Sequence, residues 1–183
     1  MSFIKPQEEE MVRRYGRPDY LTTTQKMASR ELEIVRSSMK DGRAHDITLY
    51  IRKDGGFIFI AKPPYPSGLF RAPSGGILPD ENFETGARRE ALEETGLEIE
   101  LEKYILKIDV RFQSGEYYID WTSHIFEAYY VDGDIAPKDT REIREARLVM
   151  PDEIPGFVEL MSKSGLGGLV YRAYLTKEAG KRL

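Results

Sequence analysis

Apolar residues recur along this chain with two periods, and each period marks a different kind of element. Between Thr24 and Lys40, Met27, Leu32, Val35 and Met39 recur at intervals of three to five, the spacing of one helix face. The rest of the first stretch, to about Arg43, is polar and charged. Ile47, Leu49 and Ile51 then alternate with polar neighbours, Asp54-Gly55-Gly56 supplies a turn, and residues 57–61 (FIFIA) are apolar on both faces. That pattern predicts a hairpin whose second strand lies inside a sheet. Residues 63–80 are too rich in proline and glycine for a regular element. A charged helix follows from about Phe83 to Thr95, with Asn82 as N-cap, Glu84 at the positive end of the dipole and Gly96 at the stop.

Three strand-like segments come next: Glu98–Leu106, Lys107–Phe112 and a long one from Glu116 to Val131, in which Tyr117, Ile119, Trp121 and Ile125 hold alternate positions. A turn at 131–134 and a charged loop at 136–145 precede a short strand at 146–150, and the tail from Pro151 reads as two helical pieces broken at Ser164–Gly168. Strands mixed with helices, without a regular βαβ rhythm, predict an α+β fold.

The 183 residues correspond to one domain with a modest extension, at 40% hydrophobic and 32% charged. The net charge of −4 argues against bulk electrostatic binding to nucleic acid or to an anionic membrane. Without cysteine there is no disulfide framework, no thiolate metal site and no Cys nucleophile. No long apolar run and no apolar signal-peptide core are present, so the expectation is a cytoplasmic protein. His45 and His124 are the only histidines. Side-chain chemistry therefore falls to the carboxylates.

The richest segment runs from Gly75 to Leu97 (GGILPDENFETGARREALEETGL). On its helix Glu90, Glu93 and Glu94 stand at i, i+3 and i+4, so three carboxylates leave one face. Like charges at these spacings cost roughly a few tenths of a kcal/mol per pair, a conflict that a divalent cation removes. Hard ions such as Mg2+ or Mn2+ take oxygen ligands, completed by water and phosphate. Gly86 leaves one end of that face uncrowded, and Ala87, Ala91 and Thr95 are small enough for the helix to lie close on a sheet.

This segment resembles the signature of the Nudix hydrolases: a glycine, five residues, Glu, seven residues, Arg-Glu, an apolar residue, any residue, Glu-Glu, any residue, glycine and an apolar residue. Gly75, Glu81, Arg89, Glu90, Ala91, Glu93, Glu94, Gly96 and Leu97 occupy these places with every spacing kept, and Ala91 is small for its position. The resemblance implies an α/β/α sandwich, a mixed β-sheet between helices, over residues 45–183, with residues 1–44 as an N-terminal extension containing one helix. It implies that Glu90, Glu93 and Glu94 hold Mg2+ (or Mn2+), helped by the backbone carbonyl of Ser74. It further implies that Arg89 orients the carboxylates by pairing with Glu81.

The implied reaction is hydrolysis of the pyrophosphate linkage of a nucleoside diphosphate joined to a moiety X (a nucleotide sugar, an ADP-ribose-like compound or a related nucleotide) by water attack. A nest of glutamates repels such a polyanion unless metal bridges the two. Relatives take the general base either from the motif or from a loop beyond the long strand. Glu142 is the first loop candidate, Glu145 the second, and Glu90 the motif alternative. The extension is similar to segments that help nucleotide-sugar hydrolases form a homodimer.

Arg71, Arg52, Lys62 and Arg111 lie on or beside the expected strands as candidate contacts for phosphate or ribose, Arg71 foremost among them. Tyr65 and Phe70 are candidates either for stacking on a base or for packing the proline-rich loop onto the sheet. Trp121 is assigned to the core by its alternation, and both histidines to structural or surface roles. The expected partner is a small nucleotide, not a membrane or a nucleic acid. A catalytically silent nucleotide-sensing module on the same fold is the alternative, and an isomerase or mRNA-cap-processing relative is a third. The proline that follows the motif in ADP-ribose-type relatives is absent, Phe112-Gln113 standing there, and X is left open.

Overall fold

The alternating segment forms β2 (His45–Lys53) and the apolar run forms β3 (Gly56–Ala61), joined by a turn in which Asp54 and Gly55 take φ of 48° and 81°. The structure is a computed structural model that describes residues 4–39 and 42–183. The two strands pair only at Arg52–Phe57 and Lys53–Gly56. Beyond that they part, and residues 71–75 run between them. Ile60 and Arg71 exchange both backbone hydrogen bonds (2.8 and 2.9 Å), and Leu49 N–H donates to the Pro73 carbonyl at 3.0 Å. The short β4 (Ser74–Gly75) then pairs antiparallel with Thr48 and Ile47. The proline- and glycine-rich stretch is thus wedged into the sheet, and it delivers the chain to α3 (Phe83–Thr95).

The remaining elements are α1 (Ile4–Tyr15), β1 (Asp19–Lys26), α2 (Ser29–Ser38), β5 (Glu98–Ser114), β6 (Tyr117–Asp132), β7 (Glu145–Val149), α4 (Ile154–Ser162) and α5 (Gly167–Gly180). The sheet order is β1-β5-β6-β2-β3-β7, with β4 on β2. β1–β5 and β2–β6 are parallel and the other pairs antiparallel, so the sheet is mixed. α3 packs Phe83, Ala87 and Ala91 onto one face with Ile47, Leu49, Ile58 and Met11 of α1. The other face carries Tyr50, Phe59, Phe70 and Trp121 under α2, α4 and α5, through Leu32, Phe157, Met161 and Tyr171. Helices on both faces make the α/β/α sandwich.

Two expectations change. The extension holds two helices and a strand rather than one helix. Asp19–Lys26 joins the sheet edge beside β5, and the helix expected from Thr24 begins only at Ser29; its far end at Lys40 lies outside the described residues. Three consecutive threonines, Thr22–Thr24, favour the strand through their branched Cβ atoms.

Glu98–Leu106 and Lys107–Phe112 are one strand, β5. Register shifts at 101–103 and 104–106 move its apolar positions from the α3 face (Ile99, Leu101, Tyr104) to the opposite face (Leu106, Ile108, Val110). The neighbours that alternate with Ile47, Leu49 and Ile51 along β2 are buried as well: Asp46, Thr48 and Tyr50 lie beneath α5. Among the described residues, no helix is long and apolar enough to cross a membrane.

Candidate active site

Asn82 accepts the Thr85 N–H at 2.9 Å, starting α3 immediately after the wedged segment, and Gly96 ends it at φ 82°. Helix periodicity then sets the site. Ala87 and Ala91 face the sheet, Glu90 and Glu94 lie along the flank beside β4, and Glu93 turns to Arg89.

Glu90 lies directly over Gly75: a Cβ built on Gly75 would stand 1.9 Å from the Glu90 carboxyl carbon. Glu94 is buried and accepts the Ser74 N–H at 2.8 Å. The strand pair β2–β4 therefore meets the helix through two carboxylates.

Arg89 organises the other end. It donates to both oxygens of Glu81 (3.1 and 2.6 Å), to the Gly76 carbonyl (2.8 Å), and through Nη1 to Glu90 (2.9 Å) and Glu93 (3.1 Å). Glu81 also accepts the Leu78 N–H at 2.7 Å. Although burial opposes it, hydrogen bonding from Arg89 and Leu78 holds the Glu81 carboxyl below its usual range. Burial pushes Glu90 the other way, to about 7, with Glu94 and Glu93 adding and Arg89 opposing. Burial likewise raises Glu94, against the pull of Arg71, Lys62 and the Ser74 N–H.

Among the described residues, Glu81, Glu90, Glu93 and Glu94 outnumber Arg89 and Lys62, the two cations paired with them. The carboxylates do not converge on one point, since Glu90 and Glu93 turn to Arg89 and Glu94 to Ser74. Among the described residues no three acidic or histidine side chains are grouped as a closed metal cage. The donor chemistry nonetheless fits a hard divalent cation: three carboxylates on adjacent helix positions, one desolvated between two like charges, beside a glycine-rich backbone turn.

Arg71 is buried behind this face rather than open to solvent. It donates to the Tyr65 hydroxyl (2.8 Å), the Ala72 carbonyl (2.7 Å) and Ser74 Oγ (2.8 Å), and so buttresses the turn. Lys62 lies 3.8 Å from Glu94 and 3.4 Å from Glu142, which brings the loop glutamate to the helix. Glu145 begins β7 opposite Ala61.

Three candidates are not brought to this face. Phe70 is a core residue, 5% exposed, with its ring edge-on to Phe157 under the opposite side of the sheet, so it offers no stacking surface. Arg52 pairs with Glu127 and borders an apolar groove of about 650 Å³ between α4 and α5. Arg111 is held by both oxygens of Asp120 (2.7 and 2.9 Å) and lies over Tyr118.

Sequence reasoning missed Arg43, whose guanidinium packs on Gly76, closer to a built Cβ (1.7 Å) than any side chain there would allow. It also missed Arg172 of α5, which donates to Thr48, the strand partner of Ser74, and to Asp46. Neither has a local signal, because each reaches the site from a distant element.

A mixed sheet that carries a carboxylate-lined helix on a glycine-rich turn defines the class as an α/β/α sandwich with an acidic site beside its sheet. The sequence model of the NUDIX domain matches residues 42–165. Among solved structures, a NUDIX hydrolase from Nitrosomonas europaea superposes with a TM-score of 0.52 at 21% identity, over 76% of this chain and 91% of that one. A UDP-X diphosphatase superposes with a TM-score of 0.51 at 18% identity, over 79% of this chain and 71% of that one. At these identities the superpositions speak for the fold, and the domain match for the family. The chain belongs to the Nudix family of hydrolases.

Proposed function

We propose that this protein is a metal-dependent hydrolase of the pyrophosphate linkage in a nucleoside diphosphate joined to a further group X. The observation that carries the reading is the carboxylate face of α3 meeting the Ser74–Gly75 turn through Glu90 and Glu94. In this reading Glu90, Glu93 and Glu94, with the Ser74 carbonyl, hold Mg2+ or Mn2+. The bound cation supplies charge neutralisation of the diphosphate and Lewis-acid activation of water.

The chain's own residues do the rest. Arg89 fixes Glu81, Glu90 and the Gly76 carbonyl in one hydrogen-bonded frame. Arg71 supports Ser74 from behind. Glu142 accepts the proton of the attacking water as its oxygen bonds to phosphorus and the bridging P–O bond breaks, yielding a nucleoside monophosphate and X-phosphate. Arg52 and Arg111 would have to leave Glu127 and Asp120 to reach a substrate, so neither is assigned a contact.

The alternative is a module that binds a nucleotide without cleaving it; the pairing of Glu90 and Glu93 with Arg89 is the observation in its favour. A screen of nucleotide sugars, dinucleoside polyphosphates and nucleoside triphosphates with Mg2+ and Mn2+, reading phosphate after a coupled phosphatase, decides between them. Metal-dependent release that is lost in Glu93→Gln and Glu94→Gln supports hydrolysis. Tight binding without release supports the sensor. The extension leaves β1 at the sheet edge, consistent with a homodimer, which sedimentation velocity tests.

A further inference from the structure

Glu142 does not hang from a free loop. After β6 the chain turns back at Gly133 and lies on the C-terminal end of α3. Ala136 N–H donates to the Thr95 carbonyl at 2.9 Å, and Lys138 and Asp139 N–H donate to the Glu93 carbonyl at 2.9 and 3.1 Å. These carbonyls belong to the last turn, where a helix leaves acceptors without intrahelical partners. The close approach depends on two glycines: a Cβ on Gly96 would stand 2.3 Å from the Ala136 oxygen, and one on Gly133 2.6 Å from the Gly96 oxygen.

From that anchor Asp139 folds the next turn. Its Oδ1 accepts the Arg141 N–H (3.0 Å) and shares the Glu142 N–H with its own backbone carbonyl (3.3 Å to each), an Asx-type turn, and that carbonyl also accepts the Ile143 N–H at 2.9 Å. Ile143 is buried, and Arg144 N–H donates to the Ala61 carbonyl at 2.8 Å, so the segment is pinned at its far end too. The Glu142 side chain is itself 67% exposed; the group that holds it is Lys62, at 3.4 Å, whose ammonium also lies 3.8 Å from Glu94. Glu145 makes no ion pair or side-chain hydrogen bond among the described residues.

We propose that Asp139 and Lys62 are positioning residues that hold the Glu142 carboxylate beside the Glu94 end of the acidic face, making residues 133–144 a fixed arm of the site. Asp139 sets the backbone and Lys62 the side chain. The proposal rests on the reading of Glu142 as proton acceptor given above. A carboxylate on an exposed loop contributes little unless its place is held, because proton transfer falls off steeply with misplacement.

The test uses the full chain and the variants Asp139→Ala, Asp139→Asn, Lys62→Gln and Glu142→Gln, assayed with Mg2+ on the substrate found in the screen. Amide hydrogen exchange at Arg141 and Glu142 is measured alongside. Asp139→Ala should lower kcat about tenfold with KM within about twofold, and should speed exchange at the Arg141 amide, while Glu142 keeps its bond to the Asp139 backbone carbonyl. Asp139→Asn keeps the accepting oxygen and should restore both readouts. Lys62→Gln should lower kcat, with no further loss when combined with Glu142→Gln.

Wild-type kcat in Asp139→Ala despite faster exchange would overturn the proposal, as would equal loss in the Ala and Asn variants. Unchanged exchange at Arg141 in Asp139→Ala would overturn it without reference to activity. Wild-type protein that hydrolyses nothing strikes the hydrolase reading instead, and the exchange data then decide the arm alone.

Discussion

The carboxylate of Glu90 occupies the volume that a side chain on Gly75 would need, with 1.9 Å between the Glu90 carboxyl carbon and a Cβ built on that glycine. A glycine that looks like a simple turn residue is thus the floor on which the Glu90 carboxylate rests. The atoms that a methyl group would strike are the far end of a flexible side chain, not backbone. Gly75→Ala is therefore expected to fold, losing less than about 1 kcal/mol by urea unfolding. Glu90 would be displaced, and kcat should fall by about tenfold to a hundredfold. Wild-type turnover in that variant would show that the place of Glu90 is not needed.

Arg89 Nη1 bridges Glu90 and Glu93, so one guanidinium offsets part of the charge that a bound cation would neutralise. A divalent ion that binds only the folded chain adds about 2.7 kcal/mol at a hundred times its dissociation constant. For a chain of this size, that is expected as a rise of about 5 °C or more in the unfolding midpoint. Mg2+ or Mn2+ should produce the shift, chelation should reverse it, and Glu94→Gln should abolish it. An unchanged midpoint across a millimolar titration in the wild type would remove the metal assignment.

The central helix was legible because its signals are local. Asn82 caps, Gly96 stops, and the spacing of Glu90, Glu93 and Glu94 is a property of one helix. The hairpin was legible for the same reason. What escaped depends on partners far along the chain. β1 pairs with residues 106–113, and nothing in DYLTTTQK says so. Phe70 reads as a loop aromatic, yet Phe157, on a helix far down the chain, takes it into the core. Arg71 reads as a substrate contact, yet its hydrogen bonds to Tyr65 and Ser74 turn it inward. The bulges that switch the buried face of β5 made one strand look like two. The pairing of Arg89 with Glu81 followed from the motif, whereas the anchoring of Glu142 to the helix end needed the tertiary path of residues 133–144.

Asp46 is buried and accepts hydrogen bonds from Trp121 (3.0 Å), Ser123 (2.7 Å) and Arg172 (2.8 Å), so the last helix is tied to β2 and β6 through one carboxylate. Burial opposes ionisation, but Arg172, Ser123 and Trp121 hold the Asp46 carboxyl below its usual range. Removing one partner strands the other, a cost of about 3–5 kcal/mol. Asp46→Ala should therefore be severely destabilised. The double variant with Arg172→Ala should lose less than the sum of the two single losses in urea unfolding. Strict additivity would mean that the pair does not act as a unit.

His124 is 1% exposed; its Nδ1 faces the Tyr104 hydroxyl, and its Nε2 has no hydrogen-bond partner among the described residues. Its ring packs 4.7 Å from Phe83, the first residue of α3, and 6.0 Å from His45. Burial depresses its pKa to about 3, with His45 and Lys107 adding and Asp46 opposing. Since that lies below the ordinary histidine value of 6.5, the unfolded chain takes up the proton first. Stability from neutral His124 is then fully present above the unfolded pKa and is lost as pH falls from there toward the folded value. His45, lowered by burial, and Asp46 act in the same direction, so acid lability alone does not isolate His124. The slope does. Between about pH 6 and 4, His124→Phe should lose about 1.4 kcal/mol per pH unit less than the wild type in urea unfolding, whatever its absolute stability. Parallel slopes for the two proteins would mean that the buried imidazole takes its proton in the folded state as readily as in the unfolded chain.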